Sequence, residues 1–240
     1  TQNDLTVSHN TFLAGTGASY YKAISSSGTG AIFTSNTMTG AITKGIEISG
    51  GNAALKSNSI VSSSLNKGTD GGEAHTGIRI TGGSAAHTLG NTSNHGEGNT
   101  VEGFNTCIST THEADIHGSD IDNCTTGILH NSTAAVDLHS NDIATATTGI
   151  SITNTGAFSS HTDTISSATT GININASVTS DIDNLTSQNT NTTAINIASH
   201  TSTTVDGSTF NLDDDSKGVV ISADADDLTL TTNKFLDDGD

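Results

Sequence analysis

Two stretches decide the fold, Gly149-Ile150-Ser151-Ile152 and Gly171-Ile172-Asn173-Ile174, which repeat the pattern Gly-Ile-x-Ile at a spacing of 22 residues. Other copies lie at Gly45-Ile46-Glu47-Ile48 and Gly77-Ile78-Arg79-Ile80, with weaker versions around Ile24, Ile108, Ile128, Ile195 and Val219. From Ile24 to Val219 the steps are 22, 32, 30, 20, 22, 22, 23 and 24 residues. A regular period of this length indicates a stack of small structural units.

A second periodic signal is a polar residue, most often Asn, followed two positions later by an apolar one. The ten pairs are Asn10 with Phe12, Asn36 with Met38, Asn58 with Ile60, Asn99 with Val101, Ser119 with Ile121, Asn141 with Ile143, Asp163 with Ile165, Asp183 with Leu185, Ser208 with Phe210 and Asn233 with Phe235. We expect the Asn to adopt the left-handed conformation of a sharp corner and to bond to the same residue one coil along. We expect the glycine of Gly-Ile to serve a turn with positive φ.

Together the two signals predict an all-β fold, a right-handed parallel β-helix of about nine and a half coils of roughly 22 residues, with three short strands per coil. Stacked coils would align the isoleucines in one inner column, since side chains alternate in and out along a strand. A disordered Ser/Thr-rich stalk and a β-sandwich are the alternatives. Ten in-register copies argue against the first, and the lack of hairpin dipeptides between strands argues against the second.

Residues 1–240 are expected to form a single domain, either a segment of a longer chain or a subunit that stacks end to end. The open ends of a solenoid expose backbone edges and apolar columns, which invite pairing with further coils. Two coils are longer than the others, and we expect loop insertions near 61–76 and 82–95. The charged residues and histidines of these two loops are Lys67, Asp70, Glu73, His75, His87 and His95.

The Asn corner combined with Gly-Ile-x-Ile resembles the parallel β-helix repeat of the pectate-lyase-like superfamily over nearly the whole chain. The resemblance implies the fold, whereas the functions of members range over polysaccharide lyases, glycoside hydrolases, epimerases, phage tailspikes and surface adhesins. Resemblance to pectate lyases would imply an arginine base beside calcium-binding carboxylates, and Arg79 is the one arginine of the chain. Resemblance to polygalacturonases would imply clustered aspartates with Gly-His-Gly, but the sequence has Asn94-His95-Gly96. Neither catalytic site carries over.

Glu47 and Arg79 form the first candidate site, because the repeat places them in one outward column on successive coils. A salt bridge is the main interpretation. A carbohydrate-binding or catalytic cleft beside the two inserted loops is the alternative.

A column of histidines is the second candidate site, a metal site. Two positions before the polar corner come Glu97, His117, His139, His161, Asp181 and Asp206. If these residues point outward on consecutive coils, His117, His139 and His161 could bind a transition metal such as Zn²⁺, Ni²⁺ or Cu²⁺, with Glu97 or Asp181 as a further ligand. A surface ladder of stacked side chains without a metal is the alternative.

A column of aspartates near the C-terminus is the third candidate site. Asp213 and Asp238, like Asp215 and Asp240, are 25 residues apart, the step that also separates Phe210 from Phe235. Like charges directly opposite one another are destabilising unless a cation intervenes, and Ca²⁺ accepts several oxygen ligands. A calcium site is therefore one interpretation, and a solvated, frayed terminus is the other.

Two cysteines are the remaining chemically distinctive residues. Cys107 replaces the glycine of one Gly-Ile strand, and Cys124 precedes the next such glycine by three residues. Two buried thiols are the expected state, and a disulfide is the alternative.

The charge balance limits the choice of partners. Seven basic residues against 25 acidic ones give a net charge of −18, which disfavours nucleic acid, and no apolar run is long enough to span a membrane. We expect an extracellular or cell-surface module, a structural or adhesive stalk or filament element without enzymatic activity. Its expected partners are further copies of itself or a surface polysaccharide. A polysaccharide-active lyase, hydrolase or epimerase is the alternative, and ice or mineral binding is a third, weakened by Asp120 and Asp142 in its Thr column.

Overall fold

The computed structural model describes residues 4–15, 22–66, 69–70, 73–93, 96–190, 192–222 and 227–237. These residues form 31 β-strands and no helix. Three long parallel sheets run the length of the molecule, and each coil passes through sheet A, then sheet B, then sheet C. The predicted parallel β-helix of about nine turns with three strands per coil is therefore confirmed. Its right-handed sense stays a prediction, based on the hand that parallel crossovers prefer. In the described part of the chain we find no helix suited to crossing a membrane.

The strands are numbered in chain order. Sheet A contains β1 (Thr6–Ser8), β4 (Ala31–Thr34), β7 (Ala53–Lys56), β12 (His87–Leu89), β15 (Ala114–His117), β18 (Val136–His139), β21 (Phe158–His161), β24 (Thr179–Asp183), β27 (Ser202–Asp206) and β30 (Leu228–Thr231). Sheet B contains β2 (Thr11–Ala14), β5 (Thr37–Gly40), β8 (Ser59–Asn66), β13 (Thr100–Phe104), β16 (Asp120–Asp122), β19 (Asp142–Ala144), β22 (Thr164–Ser166), β25 (Thr186–Thr190), β28 (Thr209–Leu212) and β31 (Lys234–Asp237). Sheet C contains β3 (Lys22–Ser26), β6 (Lys44–Ile48), β11 (Thr76–Ile80), β14 (Thr106–Thr110), β17 (Thr126–His130), β20 (Thr148–Ile152), β23 (Thr170–Asn175), β26 (Thr193–Ser199) and β29 (Lys217–Ile221). A short antiparallel hairpin consists of β9 (Thr69–Asp70) and β10 (Glu73–Ala74).

The isoleucines of sheet C form the inner column that the sequence predicts. Ile150 pairs in register with Ile128 on one side and Ile172 on the other, and all three side chains are fully buried. A second inner column lies two residues further along each strand, with Ile152 as one member and His130 as another. Burial of these columns is the main stabilising term, since each buried aliphatic side chain contributes about 1.5–3 kcal/mol.

An amide ladder joins the coils at the corner between sheets A and B. Asn58 Nδ2 donates to Asn99 Oδ1 at 2.9 Å and to the carbonyl of Phe33 at 2.9 Å. The backbone N and Nδ2 of Asn36 in turn donate to Asn58 Oδ1. The predicted bonding of Asn to its equivalent on the next coil is thus confirmed. The expected left-handed conformation belongs instead to the preceding residue, for example Ser57 with φ 53°.

The glycines of the Gly-Ile motif are not required for a turn with positive φ, contrary to the expectation from the sequence. Positive φ is found at other glycines, such as Gly118, and not at Gly149 or Gly171. A Cβ at Gly149 would lie 2.7 Å from the carbonyl oxygen of Gly171 and 2.9 Å from Ile165 Cγ2. Glycine is present here because the next coil approaches the backbone closely.

One coil departs from the repeat. Asp163 and Ile165 align with Leu185 and Ser187, because Thr164 pairs with Thr186. The sequence predicted Asp183 as the corner residue and Leu185 as the inner residue of this coil, and both assignments are wrong by two residues. Leu185 occupies the corner, and Ser187 takes the inner position that an aliphatic side chain holds elsewhere.

The two longer coils carry their extra residues at different corners. In the first, β8 extends to Asn66 and the hairpin β9–β10 precedes β11, which places the extra chain between sheets B and C. In the second, β12 occupies part of the expected loop 82–95 as a regular strand of sheet A. The insertion instead falls within 90–98, between sheets A and B, because only Gly118 and Ser119 separate the corresponding strands one coil later.

The polar residues expected in these loops have different surroundings. His75 and His87 are buried, and the Nε2 atom of His87 lies 3.1 Å from the carbonyl oxygen of Gly82. Asp70 and Glu73 lie on the two strands of the hairpin. Lys67 and His95 lie outside the described residues.

Cys107 and Cys124 form a disulfide, so the expectation of two free thiols is wrong. Their Cα atoms are 5.9 Å apart and both side chains are buried. The bridge is possible because Cys124 lies at the corner where the chain leaves sheet B, directly before the strand that pairs with β14. It ties two successive coils together.

Candidate metal centre on sheet A

The three histidines lie directly above one another on sheet A. His117, His139 and His161 each end a strand, and the parallel register pairs the first with the second and the second with the third. Their ring centroids are separated by 4.9 Å and 4.7 Å, with interplanar angles of 3° and 22°. The predicted column is thus present. His117 is 4% exposed, whereas about a quarter of each of the other two side chains is accessible.

Asp137 joins this column from the same face of the sheet. It lies two residues before His139 on β18, so both side chains point outward. Asp137 Oδ2 is 3.0 Å from His139 Nε2, and Asp137 Oδ1 is 3.8 Å from His161 Nε2. Ser159 Oγ donates a hydrogen bond of 2.5 Å to Oδ1. One carboxylate therefore faces two imidazoles on adjacent coils.

A second carboxylate lies on the far side of His161. The register pairs His161 with Asp183, and Asp183 Oδ2 is 3.9 Å from His161 Nδ1. Asp181, the expected member of the column, pairs instead with Ser159, so its predicted place in the histidine column is wrong. Its displacement follows from the two-residue shift at Leu185.

Glu97, the other proposed extra ligand, contacts Lys56 and Asn91. Its carboxylate lies 3.6 Å from Lys56 Nζ and accepts a hydrogen bond from Asn91 Nδ2. The carboxylate of Glu97 is thus part of an ion pair at the corner insertion.

Asp137 lies in a negatively charged environment. Asp115 lies directly opposite Asp137 on the neighbouring coil. Burial raises the pKa of Asp115, and the negative charges of Asp137 and Glu113 raise it further, while His139 lowers it. A cation bound at Asp137 would relieve this repulsion.

The distances at Asp137 suit a small metal ion. One ligand atom from each of Asp137, His139 and His161 lies within 4.8 Å of the others. With metal–ligand bonds of about 2.0–2.1 Å, tetrahedral ligand atoms lie roughly 3.3 Å apart. The Nε2 atoms of His139 and His161 lie 3.0 Å and 3.8 Å from Oδ2 and Oδ1 of Asp137, respectively, so small side-chain movements would bring the three groups to that spacing. Both rings must tilt out of the stack to aim their lone pairs at one point.

Glu47 and Arg79 are the centre of an ion cluster on sheet C. The two residues pair in register, and Arg79 Nη1 lies 3.2 Å from Glu47 Oε1. Lys22 forms a further ion pair with Glu47, and Lys44 Nζ lies 3.8 Å from it. The salt-bridge interpretation is confirmed. Carbohydrate binding at Glu47 and Arg79 stays a prediction.

The proposed calcium column lies at the limit of the described structure. Leu212 pairs with Asp237 in the last described coil, next to Asp213 and Asp215. Asp238 and Asp240, the other two proposed ligands, lie outside the described residues. The calcium site stays a prediction.

Sequence reasoning missed Asp137 and Asp183 as neighbours of the histidines. The strand alternation could have revealed Asp137, because Asp137-Leu138-His139 places the first and third side chains on one face. The correct register could have revealed Asp183, which follows His161 by 22 residues. Comparison of the chain with protein-family models, curated proteins and solved structures found no match.

Proposed function

We propose that this chain is a structural module of an extracellular or cell-surface protein, a stalk or filament element with adhesive outer faces. The observation that carries the proposal is the uninterrupted ladder of sheet A, in which ten strands follow one another in parallel. At a strand spacing of about 4.8 Å these ten strands span roughly 43 Å. Such a ladder is stiff, because neighbouring coils bond to one another through the backbone and, at several corners, through asparagine side chains.

The Cys107–Cys124 disulfide supports the extracellular part of the proposal. Structural disulfides persist in oxidising compartments and are rare in reducing ones. The excess of acidic side chains, with a net charge of −18, would keep such a module soluble.

End-to-end association with a further β-helix, from a second copy or from continuing coils of one parent chain, is supported by the distribution of apolar side chains. Among the described residues the exposed large hydrophobic ones lie on the first two and the last coils. They are Leu13, Ile32, Leu230 and Phe235. Leu230 and Phe235 pair with the buried Val205 and Phe210, so another coil stacked on the last one would bury them and pair the open sheet edges. Leu13 and Ile32 alternate with Phe12 and Phe33 along their strands and face outward.

Analytical ultracentrifugation over a range of concentrations, with negative-stain microscopy, tests this association. We expect elongated polymers whose formation is suppressed by Leu230→Asp, because Leu230 ends an inner column at the last described coil. Leu129→Asp is the matched control, because Leu129 faces outward on β17 in the middle of the stack. A monomer at every concentration would contradict self-association, and equal effects of both variants would remove the end faces as its cause.

The alternative is a polysaccharide-active enzyme of the pectate-lyase-like kind, supported by the resemblance of the repeat and by the partial exposure of the Arg79 side chain. A panel of uronate and neutral glycans separates the two proposals. Binding without turnover supports an adhesive module, whereas product formation that is lost in Arg79→Lys supports the enzyme. Lys217→Arg, on another strand of sheet C, is the control for a change of cation type.

A further inference from the structure

We propose that Asp137, His139 and His161 form a binding site for one divalent transition metal ion, of the class of Zn²⁺, Ni²⁺ and Cu²⁺. The ligand atoms are one carboxylate oxygen of Asp137 and the Nε2 atoms of His139 and His161. The inference is independent of the proposed structural function, because it depends only on the outer face of β18 and β21.

The choice of metal class follows from the ligand types. Two imidazole nitrogens with one carboxylate oxygen match the preferences of borderline transition metals, whereas Ca²⁺ and Mg²⁺ prefer oxygen ligands throughout. Three protein ligands leave a fourth position open, which water would fill. The open position faces solvent, because the side chains of Asp137, His139 and His161 are 40%, 24% and 27% exposed.

Asp183 supports the site from behind. Metal-bound histidines commonly direct their other ring nitrogen to a carboxylate, which fixes the tautomer and the ring orientation. Asp183 Oδ2 is placed for this contact with His161 Nδ1, at 3.9 Å. When the ion binds, Nε2 must be unprotonated, so the ring proton resides on Nδ1 and faces Asp183.

His117 has a different role from the one that the sequence suggested. It stacks on His139 with nearly parallel rings but is almost completely buried. The ion would therefore lie between the second and third histidines of the column, and His117 would serve as a packing surface for His139.

The conflict between stacking and coordination gives the site a distinct signature. In the stack the ring planes of His139 and His161 are 22° apart and their centroids are separated by 4.7 Å, so no point close to both rings lies in both planes. Coordination of a single ion requires the lone pairs to converge. We expect the two rings to rotate on binding, and their proton NMR signals to shift together while that of His9, far along the chain, stays in place.

Calorimetry with the metal salts alone tests the site, on a chain that carries no histidine tag. We expect one ion per chain for Zn²⁺, Ni²⁺ or Cu²⁺ and no heat for Ca²⁺ at this site. Asp137→Asn should weaken binding at least tenfold and His139→Gln/His161→Gln about a hundredfold or more, while Asp183→Asn should cost about tenfold. Asp181→Asn is the matched control, because it removes the same charge from the same outward column of sheet A, two coils from Asp137 and one coil beyond His161. It should change the affinity less than about twofold.

Two further measurements keep the test decisive. Thermal unfolding without metal shows whether each variant is folded, and if the double variant is not, the comparison of Asp137→Asn with Asp181→Asn decides alone. Cobalt substitution should give the strong visible absorption of a four-coordinate Co²⁺ ion. No binding of any of the three ions by the unmodified chain, or equal affinity in folded Asp137→Asn, overturns the proposal and leaves a stacked surface ladder.

Discussion

Asp163 accepts two hydrogen bonds from Asn141, one from the backbone N at 2.7 Å and one from Nδ2 at 2.9 Å. Its other carboxylate oxygen accepts a hydrogen bond of 2.7 Å from Ser160 Oγ. Asp163 thus replaces asparagine in the amide ladder while lacking a donor for the next coil, where Leu185 offers no acceptor. Burial raises the pKa of Asp163, although the bonds from Ser160 and Asn141 and the nearby His139 act in the opposite direction.

Asp163→Asn is predicted to stabilise the protein at neutral pH and to remove part of its pH dependence. A raised pKa means that the folded state holds the proton more tightly than the unfolded state. The resulting loss of stability is absent below the ordinary Asp pKa and fully present above the raised pKa. Asn also gains a donor for the carbonyl of Leu138, as Asn141 donates to Ile116. We expect a gain on the order of 1 kcal/mol near neutral pH.

Urea unfolding of the unmodified chain and Asp163→Asn from about pH 3 to about pH 8 checks this prediction. The stability difference should grow as the pH rises. Asp181→Asn, at an exposed position, is the control and should show no such trend. A difference that is independent of pH would show that burial of the carboxylate is not its cause.

The sequence predicted the fold well because the repeat reports burial directly. Ile128, Ile150 and Ile172 recur at a fixed spacing because the same position of each coil is buried. The spacing of such residues and their alternation along each strand together define three strands per coil. The function of the glycines was not predictable in the same way. Close approach of Gly149 to the next coil is a contact between residues distant in sequence, whereas sequence patterns report local conformation.

The candidate site was predicted in part. The spacing of 22 residues correctly stacked His117, His139 and His161, but register failed one coil later, where Leu185 and Ser187 exchange the usual polar and apolar positions. Alignment by residue type then selected Asp181 in place of Asp183. The burial of His117 could not be predicted, because its outward register, shared with the partly exposed His139 and His161, gives no sign of it.

Asn58→Ala is predicted to be strongly destabilising. The change removes the acceptor for the backbone N and Nδ2 of Asn36 and the side-chain donor to the carbonyl of Phe33. Asn99 Oδ1 loses its bond from Asn58 Nδ2 and keeps only the bond from the backbone N of residue 58. Each unsatisfied buried polar group costs about 1–3 kcal/mol, so we expect a total loss of several kcal/mol. Asn131→Ala, at an exposed asparagine, is the control. Equal unfolding midpoints for the two variants in urea would show that the ladder contributes little.

Removal of the disulfide is predicted to lower the stability without disturbing the coil geometry. Cys107→Gly/Cys124→Ala restores the residues found at these positions in other coils, Gly127 in the first case and Ala146 in the second. A cross-link between cysteines 17 residues apart contributes about 3 kcal/mol by restricting the unfolded chain. Thiol titration of the unmodified chain in denaturant should detect no free thiol before reduction. Two free thiols, or an unchanged unfolding midpoint in the double variant, would contradict the bridge or its contribution.

Gly149→Ala is predicted to destabilise the stack by about 1–3 kcal/mol, the usual cost of forcing an added group into a packed interior. The new Cβ would press against the carbonyl of Gly171 and the side chain of Ile165, and the backbone of the next coil can yield only by weakening its hydrogen bonds. Gly15→Ala is the control, because no atom lies within 4 Å of a Cβ placed there. Ala194 shows that one coil accommodates the same methyl group, so Ala194→Gly should produce a much smaller effect than the reverse change at position 149. If the Gly149→Ala and Gly15→Ala variants unfold at the same urea concentration, close approach between coils is not the reason for glycine in the repeat. The glycine would then be required by the backbone conformation that precedes each isoleucine strand.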